Sequence, residues 1–225
     1  VDTDIFPDIS VLQQPWTEHL LLEAVLAHPN VDLRWLSAVE ELKEVEQGVE
    51  LTVSTPAGRY SFIAPYLVAC DGARGQVRRS LGLLFEEIGD GVLSRNFVIC
   101  DFEMKTDHPI ARRLWVRPPF RPNSAVILHK QPFDTWRLDY ALEDHEDPQE
   151  ALQPDNVAKL VQAQVDLLLG KNTTTDWKIV WISSYRPMSR SLASYRYGEK
   201  IFFEGDAAHQ TPIFGGKAKD RKSVV

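Results

Sequence analysis

Two short apolar segments, each ending in a pair of one acidic residue and one glycine, most constrain what this 225-residue chain can fold into. The first, 66–70, ends at Asp71-Gly72, and the second, 200–204, ends at Gly205-Asp206. A short apolar run bounded by turn residues predicts a strand that is buried in a parallel sheet. Ligands of open α/β sheets bind at the carboxyl ends of such strands. The pattern therefore indicates a binding site, although each pair alone is also typical of a turn or a helix cap.

The composition argues against several other classes of protein. There are 25 basic against 32 acidic residues, a net charge of −7, and no basic cluster before the last nine residues, which argues against nucleic-acid binding. Cys70 and Cys100 lack CxxC spacing, so we expect two buried thiols rather than a disulfide framework or a zinc site. No apolar run approaches the roughly 20 residues of a membrane span, and no signal peptide is visible. We therefore expect a cytoplasmic protein without membrane contact.

The apolar spacing predicts one helix near the start of the chain and a small meander after it. Residues recurring at intervals of three and four predict a helix over 15–27. Alternating runs then predict short strands, and a further helix begins at Gln76. These runs are 31–36, 38–45, 49–54 and 60–63.

A second block predicts a separate antiparallel sheet, because its runs are rich in aromatic and β-branched residues. These runs are 97–104, 111–116, 124–130 and 135–142. A helix with apolar residues on one face follows, with Gly170 as its C′ residue, and 177–183 predicts a further strand. The expected fold class is therefore mixed α/β.

Together the two acid–glycine pairs resemble the Asp-Gly and Gly-Asp-Ala-Ala-His segments of the single-component FAD-dependent aromatic-ring hydroxylases, the para-hydroxybenzoate hydroxylase fold. Their separation of 135 residues (206 − 71) leaves room for the substrate-domain sheet of that family. The segment 13–18 before the Leu-rich helix also resembles a family segment in which a glutamine contacts the cofactor. Within the family, the chain is most similar to the hydroxyphenylpropionate and phenol hydroxylase branch.

The resemblance implies three segments: 1–91 as a partial FAD-binding domain of Rossmann-like type, 92–186 as an antiparallel substrate-binding sheet with a helix, and 187–225 as a return to the FAD-binding domain. The family opens with a βαβ unit that carries G-x-G-x-x-G, whereas the only G-x-G here is Gly89-Asp90-Gly91, with Ser94 at the position of the third glycine. We therefore expect a chain that is incomplete at both ends. Open sheet edges are expected to favour homo-oligomers or other association.

The resemblance also implies which residues hold the cofactor. Asp206 would bind a ribityl hydroxyl of FAD, Asp71 and Arg78 would serve the pyrophosphate region and NAD(P)H passage, and Gln14 would lie by the FAD phosphate or ribityl chain. Gly75 departs from the family, which usually has serine there. The implied cofactor-binding set is Gln14, Asp71, Gly72, Arg78, Gly205, Asp206, Pro212, Gly215 and Gly216.

The family reaction implied is hydroxylation of a phenol by FAD, NAD(P)H and O2 through a flavin C4a-hydroperoxide. No catalytic residue is assigned. His209 is expected to hold a turn, and packing is the expected role of four residues on the substrate-domain strands, Arg113, Trp115, His129 and Tyr140.

Two alternatives remain open from the sequence. The chain is alternatively a non-catalytic remnant, or an aromatic-ligand binding module that does not bind FAD by itself, because the glycine-rich loop is missing. In a further alternative, Asp206 and His209 are metal ligands of a hydrolase, but no third ligand is clustered with them.

Overall fold

The computed structural model describes residues 12–88, 95–171 and 175–210, and its contacts divide the chain into two compact units. The sheet unit comprises Val1–Val31 and Arg95–Arg186, and the motif unit comprises Asp32–Ser94 and Pro187–Val225. The first helix belongs to the sheet unit, although the expected segment 1–91 grouped it with the meander. The FAD-binding and substrate-binding roles of the segments stay predictions.

The elements are numbered in chain order. The helices are α1 Gln14–Ala27, α2 Gln76–Ser80, α3 Pro148–Ala151 and α4 Pro154–Leu169, and a 3-10 turn spans Gly205–Ala207. The strands are β1 Ala38–Val45, β2 Gly48–Thr55, β3 Gly58–Ala64, β4 Leu67–Ala69, β5 Glu86–Glu87, β6 Phe97–Met104, β7 Arg112–Val116, β8 Ala125–Lys130, β9 Thr135–Ala141, β10 Trp177–Tyr185, β11 Arg190–Ser191, β12 Arg196–Tyr197, β13 Ile201–Phe203 and β14 His209–Gln210.

The sheet unit is built on a five-stranded antiparallel sheet in the order β10-β6-β9-β8-β7. Alternate residues of β6, β8 and β9 point to one face and are buried there. Helix α4 covers this inner face with Val157, Val161 and Val165, which are spaced four apart and therefore share one side of the helix. Pro154 begins α4, and Gly170 ends it with a φ of 94°.

The motif unit contains the meander and three small groups of strands. Strands β1, β2 and β3 form an antiparallel sheet, as the alternating runs predicted. Two further three-stranded sheets have the orders β12-β13-β4 and β14-β11-β5. The core of the unit includes Val49 and Leu51 of β2 with Ile201 and Phe203 of β13, all of them buried.

The mixed α/β fold predicted from the sequence is confirmed, but three local predictions were wrong. The run 31–36 is not a strand; its apolar side chains are exposed, and Leu36 has a φ of 53° in a turn before β1. The strand at 66–70 is shorter and is not buried on both faces, because only one face packs on the core and Val68 is 53% exposed. Cys70 is exposed, whereas Cys100 is buried as expected.

Within the described ranges, no helix is both long and apolar enough to cross a membrane.

Candidate functional site

The two acid–glycine pairs lie at the same edge of one small sheet in the motif unit. Strands β4 and β13 run parallel, with Phe203 paired to Ala69, and the Glu204 amide donates to the Ala69 carbonyl at 3.0 Å. Parallel neighbours end at the same edge of a sheet, so Asp71-Gly72 and Gly205-Asp206 leave it together. The structure thus brings together residues that are 135 positions apart in the sequence (206 − 71).

Both glycines of these pairs have backbone conformations that other residues rarely adopt. The φ angles of Gly72 and Gly205 are 78° and 56°, and nothing lies within 4 Å of the position that a Cβ would take at either. Asp206 is exposed, and no residue in the described part of the chain bonds its carboxylate. The edge therefore offers open space against the backbone beside an acceptor that can bind hydroxyl groups.

Asp71, by contrast, is engaged within its own loop. Its Oδ2 accepts a hydrogen bond from the Val77 amide at 2.9 Å and so satisfies a free N–H in the first turn of α2. A Cβ added at Gly75 would lie 2.2 Å from the Asp71 Oδ1. The glycine that departs from the family pattern is therefore what lets this carboxylate fold over the helix start.

Arg78 braces the loop that follows α2. Its guanidinium donates to the carbonyls of Leu83 at 2.9 Å and Ala73 at 3.4 Å, and it lies over the Phe85 ring at 4.3 Å. Arg190 lies 4.4 Å from the centre of the same ring. Burial lowers the pKa of Arg78, and the charges of Arg190 and Arg79 lower it further. These contacts hold the loop, and the predicted pyrophosphate role of Arg78 stays a prediction.

The two glutamines at the start of α1 differ in their contacts. Gln14 donates to Glu18 on the same helix at 2.6 Å and is exposed, so no described contact gives it a binding role. Gln13 donates instead to the Pro132 carbonyl at 2.7 Å, beside the tilted contact of Trp16 and Phe133 at 5.2 Å. The anchoring role of Gln13 was not predicted, since nothing local in the sequence reveals a partner 119 positions away.

Several predicted residues lie outside the described residues, namely Pro212, Gly215, Gly216 and the segment Gly89-Asp90-Gly91. His209 is described; it stacks on Tyr195 with ring centres 5.6 Å apart. Among the described residues, no group of three or more His, Cys, Asp or Glu side chains is placed to hold a metal ion. The described residues therefore provide no third ligand for the hypothesis that Asp206 and His209 bind a metal ion.

A second candidate surface is the sheet face opposite α4, which we call the outer face. Its side chains alternate with those of the inner-face core, and Leu114 and Trp181 on it are 60% and 48% exposed. Charged residues lie near its centre, between apolar residues. The outer face comprises Ile99, Asp101, Arg112, Leu114, Ile127, His129, Arg137, Asp139, Trp181, Ser183 and Tyr185.

Two charge pairs occupy the centre of the outer face. Arg137 binds both oxygens of Asp101 at 2.7 and 2.8 Å, and the His129 Nε2 lies 3.2 Å from the Asp139 Oδ2. The carboxylates are the more buried partners, with side-chain exposures of 16% for Asp101 and 12% for Asp139. Side chains held this way present polar groups in fixed positions to a small molecule on the face.

The charges on this face also act on Tyr185. Burial and, to a smaller extent, the nearby Asp139 raise the pKa of Tyr185 to about 12, against the opposing charges of Arg112 and Arg137. The phenol of Tyr185 therefore stays protonated at neutral pH.

The residues expected to pack on these strands divide into two groups. Tyr140 is buried in the inner-face core, Trp115 packs against that core, and Arg113 donates to the Pro109 carbonyl at 3.4 Å. His129, however, faces outward and pairs with Asp139 rather than packing in the core. Arg137 and Asp139, two residues apart, mark the outward face of β9, but β8 shows no such period at His129 because Lys130 follows it directly.

The chain is similar to proteins of known family. Residues 3–218 match the model of a family described as the FAD binding domain. The chain is 30% identical over 213 residues to the para-nitrophenol 4-monooxygenase of Pseudomonas sp. strain WBC-3, covering 94% of this chain and 50% of that protein. It thus spans about half the length of that relative.

Solved structures show the same fold. The p-nitrophenol 4-monooxygenase PnpA of Pseudomonas putida DLL-E4 aligns with a TM-score of 0.67 at 25% identity, covering 91% of this chain and 49% of that one. Aklavinone-11 hydroxylase, in a ternary complex with FAD and aklavinone, aligns with a TM-score of 0.77 at 23% identity, covering 91% of this chain and 38% of that one.

Proposed function

Since the chain belongs to the FAD binding domain family of the FAD-dependent aromatic hydroxylases, we propose that it works in a monooxygenase. The proposed reaction is hydroxylation of a phenolic ring with NAD(P)H and O2. The observation that carries the proposal is the meeting of the two acid–glycine pairs at one edge of the β12-β13-β4 sheet. An open strand end whose Asp206 carboxylate is bound by no described residue suits a ligand rich in hydroxyl groups.

The described residues fit the sugar-like part of FAD. Asp206 would accept a hydrogen bond from a ribityl hydroxyl, and Gly72 and Gly205 would let the cofactor approach the backbone, since no atom lies within 4 Å of either absent Cβ. Bound FAD would supply hydride acceptance and oxygen activation. The protein's own part is to bind the cofactor and to orient the ring.

The outer face is the proposed seat of the aromatic substrate. Ile99, Ile127 and Leu114 offer apolar contact to a ring, and the charge pairs beside them offer polar contacts to ring substituents. A site that is mostly apolar with a few fixed polar groups is typical of small-molecule recognition. The relative named for para-nitrophenol makes a nitrophenol a suitable first substrate.

The test is hydroxylation by the whole 225-residue chain supplied with FAD, NADH or NADPH, 4-nitrophenol and isotopically labelled O2. We expect a ring product that carries one labelled oxygen. Labelled hydrogen peroxide without any ring product would contradict hydroxylase activity and favour the non-catalytic alternative.

Asp206→Asn links this activity to the strand-end site. It should lower the rate about tenfold at limiting FAD, the effect of losing one charge-assisted hydrogen bond, with recovery at saturating FAD. Asp144→Asn is the matched control. Asp144 is an exposed aspartate of the sheet unit, where it pairs with Arg95 at 3.3 Å, so its replacement should leave the rate unchanged. An equal effect of both variants would refute the role of Asp206.

A further inference from the structure

One histidine on the outer face stands between two arginines. Arg112 on β7 pairs in register with His129 on β8, which pairs with Arg137 on β9. The His129 Nε2 faces Asp139 at 3.2 Å, so Nδ1 is the ring nitrogen left for a ligand. Within the described ranges, no residue bonds this Nδ1.

We propose that His129 accepts the proton of the phenolic hydroxyl when the ring binds the outer face, with Asp139 as its positioning residue. This inference rests on the proposed function of that face. In the step, the phenol O–H bond breaks, its electron pair stays on the oxygen as phenolate, and the proton moves to Nδ1 of a neutral imidazole. The imidazolium that forms keeps its Nε2–H towards the Asp139 carboxylate, so the proton remains in the complex.

The charges around His129 favour both products of this transfer. Asp139 on β9 attracts the imidazolium, while Arg112 on β7 and Arg137 on β9 attract the phenolate. Asp101 on β6 already binds the Nε and Nη2 of Arg137, which leaves the Nη1 of that arginine for the ligand. A phenolate is the more electron-rich ring, which is the form that an electrophilic oxygen attacks.

The other groups on this face are poor proton acceptors near neutral pH. Arginine does not lose its proton in proteins. Tyr185 holds its proton, since burial raises its pKa to about 12. Asp101 is held by two bonds from Arg137, and Asp139 is mostly buried behind His129. Imidazole is the side chain whose ordinary pKa lies in this range.

The experiment follows the colour of 3-nitrophenol bound to the whole chain without cofactor, because its phenolate absorbs visible light and its phenol does not. Its pKa lies well above that of imidazole, so an ordinary imidazole is mostly neutral one pH unit below the pKa of this dye. At one pH unit below the pKa of the free dye, we expect the bound dye to be coloured. Calorimetry in two buffers of different ionisation enthalpy should show no proton released to the buffer.

His129→Gln removes the acceptor. Without the acceptor, the chain can bind only dye that is already ionised in solution. At that pH about one tenth of the free dye is phenolate, so the variant should bind the dye about tenfold more weakly, with little change in affinity above the pKa of the dye. Asp139→Asn should also weaken binding of the dye below its pKa and leave binding above that pKa little changed. His145→Gln is the matched control, because His145 is 79% exposed in the same unit and should change nothing.

The outcomes separate this inference from the function on which it rests. An unchanged affinity of His129→Gln for the dye at that pH, or a proton released to the buffer by the unaltered chain, would overturn the role of His129 and leave the binding face intact. A chain that binds no dye at any pH would overturn both. Circular dichroism of each variant is the check that the unit is still folded.

Discussion

Gly75 departs from the family pattern, and replacing it should change the free energy of unfolding by a measurable amount. Gly75 has ordinary backbone angles, φ −47° and ψ 134°, so replacing it with alanine should introduce no backbone strain. The added Cβ would, however, lie 2.2, 2.6 and 2.9 Å from Oδ1, Cγ and Oδ2 of Asp71. The Asp71 side chain must therefore move and give up the Val77 amide that it binds at 2.9 Å.

The size of the effect follows from two opposing contributions. Loss of a capping interaction costs about 1 kcal/mol, and replacing glycine with alanine returns about 0.5 kcal/mol by restricting the unfolded chain. Gly75→Ala should therefore destabilise the motif unit by roughly 0.5 kcal/mol. Gly75→Ser should be close to neutral, because a serine at the N-cap can accept from the first turn of α2 itself.

A double-mutant cycle gives the sharper test. Asp71→Ala should cost about 1 kcal/mol in the unaltered chain but almost nothing in the Gly75→Ser background, where the cap no longer depends on Asp71. Hydrogen exchange at the Val77 amide is the local readout, and urea unfolding gives the free energy. Unchanged protection of Val77 in Gly75→Ala, or equal costs of Asp71→Ala in both backgrounds, would refute the reasoning.

Three further predictions concern stability and association. Tyr140→Phe should stabilise the sheet unit by about 1 kcal/mol in urea unfolding, because the buried Tyr140 hydroxyl has no hydrogen-bond partner among the described residues; a loss of stability would reveal a partner. Burial raises the pKa of Glu146, but hydrogen bonds from Arg121 at 2.6 and 2.7 Å and from the Glu143 amide outweigh it, so the net pKa lies below 4.5. Because the folded-state pKa of Glu146 is lowered, the stability that its ion pair contributes is present above pH 4.5 and is lost as the pH falls through the folded-state pKa. Glu146→Gln should lower the free energy of unfolding by about 2 kcal/mol at pH 7 and make that free energy less dependent on pH in acid. A pH dependence of unfolding parallel to that of the unaltered chain would count against this role of Glu146. Val68→Lys should reduce concentration-dependent light scattering, because Val68 is 53% exposed on the edge strand β4; unchanged scattering would place any association elsewhere.

Local pattern was sufficient to predict much of the fold. The alternation in β6, β8 and β9 predicted strands that the structure contains, because it depends on which face of each strand is buried. The three-and-four spacing before Ala27 predicted α1, which the structure also contains, although no residue of α1 is buried. The strand predicted over 31–36 is absent, because a strand also needs a neighbouring strand to pair with. No strand in the described part of the chain pairs with this run, and Arg34 bonds instead to Asp32 at 2.8 Å and to Tyr60 at 3.2 Å.

The candidate site was predictable only in part. The meeting of Asp71-Gly72 with Gly205-Asp206 follows from two parallel strands with similar ends, which a sequence can reveal. The pairing of His129 with Asp139 depends on the register between β8 and β9, and the cap at Val77 depends on where one Asp71 oxygen points. Neither is encoded in a local pattern.

The most direct measurement is a titration of the purified 225-residue chain with FAD, followed by visible absorbance and by equilibrium dialysis. Binding at the strand-end site predicts a flavin band at ~450 nm that is shifted from that of free FAD, with one FAD per chain, and weaker binding in Asp206→Asn. A spectrum identical to that of free FAD at every protein concentration, with no retention on dialysis, would contradict the proposal that this site holds the cofactor.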